Sequence, residues 1–179
     1  MVKNMRRFIV ILGGVKSGKS RYAISLAKKY QKKVVFVATA EALDREMKER
    51  IKLHKRSRPA SWKVVEERSN LVKILPLLAK QYAVIMVDCI GLLVSNMLMD
   101  GLKDKQIERQ LNGLVRTIAG LKIITIIVSN DVGCGIVPAD TLSRRFRDLV
   151  GIVNQQLAMR ADEVVFMQAG IAVRIKSGE

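Results

Sequence analysis

Aromatic side chains are scarce in this chain: four Phe, three Tyr and one Trp make up 4% of it. Proteins that hold single-stranded nucleic acid stack bases on aromatic platforms, so this shortage argues against that class. It also leaves the core to aliphatics and to eight Met. Cysteine is scarcer. Cys89 and Cys134 form no CxxC or other metal-ligand spacing, which removes a thiolate metal site and fits a reduced, cytoplasmic compartment. No internal repeat, linker or low-complexity segment interrupts the 179 residues, and we expect one domain over 1–179. The longest apolar stretch, Tyr82 to Met99, is broken by Asp88, Gly91, Ser95 and Asn96. A strand followed by a helix explains it better than a membrane span. The apolar run after Lys3, Arg6 and Arg7 imitates a signal peptide, but it has no A-x-A site and ends in a lysine-bearing loop. Acidic residues are also few: 16 against 32 Lys and Arg, a net charge of +16. That excess points to anionic partners, whether nucleic acid, a membrane surface or a phosphorylated substrate.

What is present centres on Gly13-Gly14-Val15-Lys16-Ser17-Gly18-Lys19-Ser20. The stretch fits G-x-x-x-x-G-K-[ST] at every fixed position. Glycines let successive N–H groups turn inward toward phosphate oxygens. Lys19 would reach the β- and γ-phosphates, and the Ser20 hydroxyl would hold Mg²⁺. Phe8 to Leu12 reads as a buried strand entering the loop and Arg21 to Gln31 as a helix leaving it, adding its N-terminal partial charge.

Strand-like runs recur at Arg7–Leu12, Lys33–Ala38, Val84–Val87, Ile123–Ser129 and Val164–Met167, separated by helical stretches. This alternation predicts an α/β fold: a P-loop (RecA-like), mostly parallel central sheet with helices on both faces. Glu163–Gln168 and Ala172–Lys176, around Ala169-Gly170-Ile171, predict a C-terminal strand pair. Ala38-Thr39-Ala40 ends the second strand, at the edge that borders ligands in such sheets. Val84 to Asp88 has the Walker-B form, an apolar strand delivering one acid that would hold Mg²⁺.

A helix is predicted over Glu41–Ser57, with Leu43, Met47, Ile51 and His54 on one face. His54 is the single histidine. Spacing alone leaves it structural or functional. Lys55, Arg56 and Arg58 beside it would favour a neutral imidazole and could receive a polyphosphate. Trp62 reads as core or lid, and Glu66 as a polar contact or surface. Further helices are expected at Asn70–Lys80, Leu92–Met99, Asp104–Ala119 and from Pro138 to about Arg160, with Asp140 in its first turn. Arg144, Arg145 and Arg147 read as surface charge. Asn130 to Gly135 forms a polar, glycine-rich loop after a central strand.

Taken together, GGVKSGKSRYA, VATAEALDREMKERIKLHKRSRPASW, MVDCIGLLVSN, VSNDVGCGIVP, RRFRDLVGIVNQQLA and ADEVVFMQAGI resemble, in order, the bifunctional adenosylcobinamide kinase / adenosylcobinamide-phosphate guanylyltransferase family of cobalamin biosynthesis. The resemblance covers essentially the whole chain. It implies that adenosylcobinamide is phosphorylated with ATP or GTP and that GMP is then moved from GTP onto that phosphate. It implies that His54 carries the GMP covalently. It also implies nucleotide contacts from Ala38, Thr39, Ala40, Lys55, Arg56, Ser57, Arg58, Glu66 and Asp88, and a homotrimer. Gly91 and Leu93 stand where many relatives carry Thr and Trp. The rival from another class is a nucleic-acid-binding P-loop ATPase, suggested by the charge. A GTP switch is disfavoured because no N-K-x-D string occurs.

Overall fold

In the computed structural model, which describes residues 6–41, 49 and 58–178, seven strands form one sheet in the order β3-β2-β4-β5-β1-β6-β7. They are β1 (Arg7–Gly13), β2 (Val34–Ala38), β3 (Lys63–Glu66), β4 (Val84–Asp88), β5 (Ile124–Val128), β6 (Glu163–Gln168) and β7 (Ile171–Lys176). The first six run parallel, and β7 returns antiparallel to β6. Among the described residues the helices are α1 (Lys19–Lys29), α2 (Leu71–Ala79), α3 (Ile90–Met99), α4 (Asp104–Gly120) and α5 (Thr141–Arg160).

The central strands are near-continuous apolar runs because both faces are covered. Phe8, Val10, Val35, Val37, Ile85, Val87 and Ile127 pack under α2, α3, α4 and α5. Ile9, Ile11, Val34, Phe36, Val84, Met86 and Ile126 pack against Ala23, Ile24 and Ala27 of α1. The expected α/β sheet with helices on both faces is therefore present. So is the C-terminal pair, joined by the two-residue turn Ala169-Gly170, both at positive φ as a tight hairpin requires.

Three local readings change. β3 was not among the predicted strands. Its four residues are half exposed and become a strand only by pairing with β2. The last helix starts at Thr141, three residues after Pro138, because the Asp140 carboxylate accepts from the Ser143 N–H at 2.8 Å and caps it. The three arginines are not idle surface charge. Arg144 donates to the carbonyls of Pro138 and Ala139, Arg145 bonds Asp104 and the Leu102 carbonyl, and Arg147 bonds the carbonyls of Gly133 and Ile136. The predicted helix over 41–57 lies largely outside the described residues.

The core on the α2–α5 side sets a stability prediction. Leu75 is fully buried there. Leu75→Ala should lower the unfolding free energy by about 2–5 kcal/mol, read as a shifted urea midpoint with an unchanged slope.

Candidate active site

Parallel strands end together, and here their carboxyl ends form one row. Glu66 is in register with Ala38, Ala38 with Asp88, Asp88 with Val128, and Val128 with Ile11. The phosphate loop begins at Gly13, just beyond that row. Alternation along β4 puts Asp88 on the same face as Val84 and Met86, the face covered by α1. The acid therefore points to the side on which Lys19 and Ser20 open α1.

The loop owes its shape to two glycines. At Gly13 (φ 147°) a Cβ would lie 2.5 Å from the Met167 carbonyl oxygen, and Gly18 holds φ 97° at the helix cap. The β6–β7 turn supports the loop from outside, with Gly170 N–H donating to the Ser17 carbonyl. Val15 and Lys16 stand exposed at the tip, with Lys16 itself at φ 55°. Gly14 lends its carbonyl to the floor: the Lys19 ammonium donates to it at 2.6 Å, and Lys19 as a residue is only 7% exposed. Burial lowers the pKa of Lys19. The negative charges of Asp88 and Asp131 oppose that shift. The Cys89 thiol is pushed up to about 12, chiefly by burial, and so stays protonated.

Asp131 was not singled out by sequence reasoning. It follows β5, which lies between β1 and β4, and its N–H donates to the Gly13 carbonyl at 2.9 Å. The signal available was an acid three residues after a central strand, at the edge where ligands bind. Beside it, Asn130 rests over Gly91, where a Cβ would come within 3.0 Å of the Asn130 amide nitrogen. Gly91 makes room for Asn130. Leu93 is fully buried in the α2–α5 core.

On the other side of Asp88, the Arg58 guanidinium lies 3.7 Å over the Phe36 ring. Burial lowers its pKa, opposed by Asp88 and Glu66. Its Nε and Nη1 are buried and make no hydrogen bond to the described residues. Such a cation can receive phosphate oxygens. Trp62 packs on the α1-side core close by, as a core residue. Thr39 is fully buried, and its hydroxyl is bonded to the backbone of Cys89. Ala38 and Ala40 are half-buried at the same edge, and Glu66 is exposed. The structure thus brings together the loop Gly13–Ser20, Ala38, Ala40, Arg58, Glu66 and Asp88, with Thr39 buried behind them. His54, Lys55, Arg56 and Ser57 lie outside the described residues.

Asp88 and Ser20 are hard oxygen donors of the kind Mg²⁺ takes. That ion keeps several waters and uses one or two protein oxygens together with phosphates. The described residues hold no cluster of three or more His, Cys, Asp or Glu that could hold a metal ion. Among the described residues no helix is long and apolar enough to cross a membrane.

The chain is similar to known proteins. A KaiC-like protein of the hyperthermophilic archaeon Pyrococcus horikoshii OT3 superposes with a TM-score of 0.50 at 15% identity, covering 89% of this chain and 70% of that one, which speaks for the fold alone. The bifunctional adenosylcobalamin biosynthesis protein CobU of Escherichia coli (strain K12) is 36% identical, over 94% of this chain and 99% of its own. The corresponding protein CobP of Pseudomonas aeruginosa (strain PAO1) is 37% identical, over 93% and 96%. A family model described as cobinamide kinase / cobinamide phosphate guanyltransferase matches residues 9–175. The chain belongs to the cobinamide kinase / cobinamide phosphate guanyltransferase family and is an enzyme.

Proposed function

We propose that this enzyme carries out two phosphorus transfers in one nucleotide site. In the first, the aminopropanol hydroxyl of adenosylcobinamide attacks the γ-phosphorus of ATP or GTP. The bond from that phosphorus to the β-bridging oxygen breaks, the nucleoside diphosphate leaves, and the hydroxyl proton is released. In the second, His54 attacks the α-phosphorus of GTP and pyrophosphate leaves. The phosphate of adenosylcobinamide phosphate then displaces the imidazole from GMP, giving adenosylcobinamide-GDP. A covalent carrier splits one difficult transfer into two easier ones.

The observation that carries this reading is the buried Lys19, whose ammonium donates to the Gly14 carbonyl of the phosphate loop at 2.6 Å, in a chain that matches the family over nearly its whole length. Lys19 would offset charge that builds on the transferring phosphoryl group. Mg²⁺, held by Ser20 and Asp88, would polarise the phosphate oxygens. Arg58 would orient the polyphosphate, with Lys55, Arg56 and Ser57 alongside His54. Cations beside an imidazole favour its neutral, nucleophilic form. We place the enzyme in the cytoplasm, as a homotrimer. The edge strand β7 supports association, since Ile171, Val173 and Ile175 alternate along it and are all exposed.

Incubation with α-labelled GTP and Mg²⁺ should leave an acid-labile, alkali-stable label on the protein. Absence of label, or label surviving in His54→Ala, would sink the covalent step. His54→Ala should keep kinase activity, whereas Lys19→Ala should lower kcat/KM of both reactions by about 100-fold or more, in steady-state assays of each step. Light scattering coupled to gel filtration should return three times the chain mass of 20.0 kDa; a single-chain mass would refute the trimer.

A further inference from the structure

Asn96 is a polar residue in the most apolar stretch of the chain. It sits on α3 at 5% exposure, among Leu93, Val94, Met97 and Leu98. A buried amide without partners would cost about 1–3 kcal/mol, and Asn96 is well supplied. Its side-chain nitrogen donates to the Thr39 carbonyl at 2.9 Å and to the Arg68 carbonyl at 3.0 Å. Both neighbours are acceptors, so only the NH₂ end of the amide can face them.

Thr39 is bonded on every side. Its N–H donates to the Asp88 carbonyl at 3.2 Å. Its hydroxyl donates to the Cys89 carbonyl at 2.7 Å and accepts from the Cys89 N–H at 2.8 Å. It is fully buried, and its single O–H is already donated to Cys89, so it has no donor left for a phosphate oxygen. Arg68 fastens the third segment: its guanidinium pairs with Glu41 after β2 and Asp100 after α3, and the neighbouring Glu67 N–H donates to the Ala38 carbonyl.

We propose that Thr39 and Asn96 are positioning residues for Asp88, acting through the Cys89 backbone rather than by touching the nucleotide. Thr39 grips the peptide that follows the acid, and Asn96 fixes Thr39 against the segment that follows Glu66. The tips of β2, β3 and β4 are thereby locked at one height, and the Asp88 carboxylate is aimed at the phosphate loop. Partners of this kind, one step behind a metal-holding group, are typically worth 10–100-fold in metal affinity or activity.

This rests on Asp88 as the metal-holding acid. The test is binding of the β,γ-imido analogue of ATP, titrated with Mg²⁺ and repeated in EDTA, alongside thermal melts. Thr39→Val keeps the shape and removes the hydroxyl. It should raise the Mg²⁺ needed for half-maximal binding by about tenfold and leave the EDTA affinity unchanged. Asn96→Asp, which turns a carboxylate oxygen toward two carbonyls, should do the same. Thr39→Ser retains both bonds and should restore Mg²⁺ dependence to within about twofold of wild type. In an Asp88→Asn background, Thr39→Val should add nothing, because the two act along one path. Should Thr39→Val not fold, Thr39→Ala takes its place in each arm. A lowered melting temperature with unchanged Mg²⁺ dependence, or a full tenfold loss on top of Asp88→Asn, overturns the proposal. A wild type lacking any Mg²⁺-dependent affinity overturns both this and the reading of Asp88 on which it stands.

Discussion

Parallel pairing of β4, β5 and β1 is the constraint on which everything else in this enzyme depends. Hydrogen bonds between parallel strands fix the register, so strand ends that are far apart in sequence finish at one edge. With strands about 4.8 Å apart, Asp88 and Ile11, separated by one strand, stand about 10 Å apart. Beyond that edge Lys19 donates to the Gly14 carbonyl, and Asp131, on the intervening strand's loop, donates its N–H to the Gly13 carbonyl. The period of two along β4 then decides which way the acid points. Shifting that strand by one residue would send Asp88 into the α2–α5 core and expose Val87.

Charge in this site is managed by burial as much as by pairing. Lys19 and Arg58 are both held in ground that disfavours their charged forms, and in both cases carboxylates oppose the shift. A polyphosphate entering between them would supply the missing negative charge, in a setting where water screens little. The two cations flank Asp88, Lys19 from the loop side and Arg58 from the β2–β3 side.

The large positive charge looks different once side chains are placed. Arg7 and Arg174 pair with the buried Glu163, tying β1 and β7 to the start of β6. Arg144, Arg145 and Arg147 hold carbonyls of the loops around α5. Part of the basic excess therefore ties strands and loops of this protein together. A nucleic-acid-binding ATPase would instead be expected to gather it into a stripe for phosphates.

The phosphate loop, the strand entering it, the Walker-B acid and the alternation of strands and helices were all legible in the sequence. Each is a local pattern: a spacing of glycines, a run of apolar residues, a change of period. The family resemblance was legible for the same reason, as strings of consecutive residues. What tertiary structure alone decided is which of those strings meet. Nothing in Lys63-Val64-Val65-Glu66 marks a strand until β2 offers its edge. Asp131 is an acid in a glycine-rich loop until β5 is inserted between β1 and β4, and strand order is not written in chain order. Thr39 reads as a small residue at a ligand edge, yet its hydroxyl belongs to Cys89, fifty residues away. Asn96 reads as a flaw in an apolar run, and it becomes a clasp only when the carbonyls of Thr39 and Arg68 arrive at its amide. Sequence determines the chemistry of each segment because that depends on neighbours along the chain. The site depends on neighbours across the sheet, and those exist only after folding.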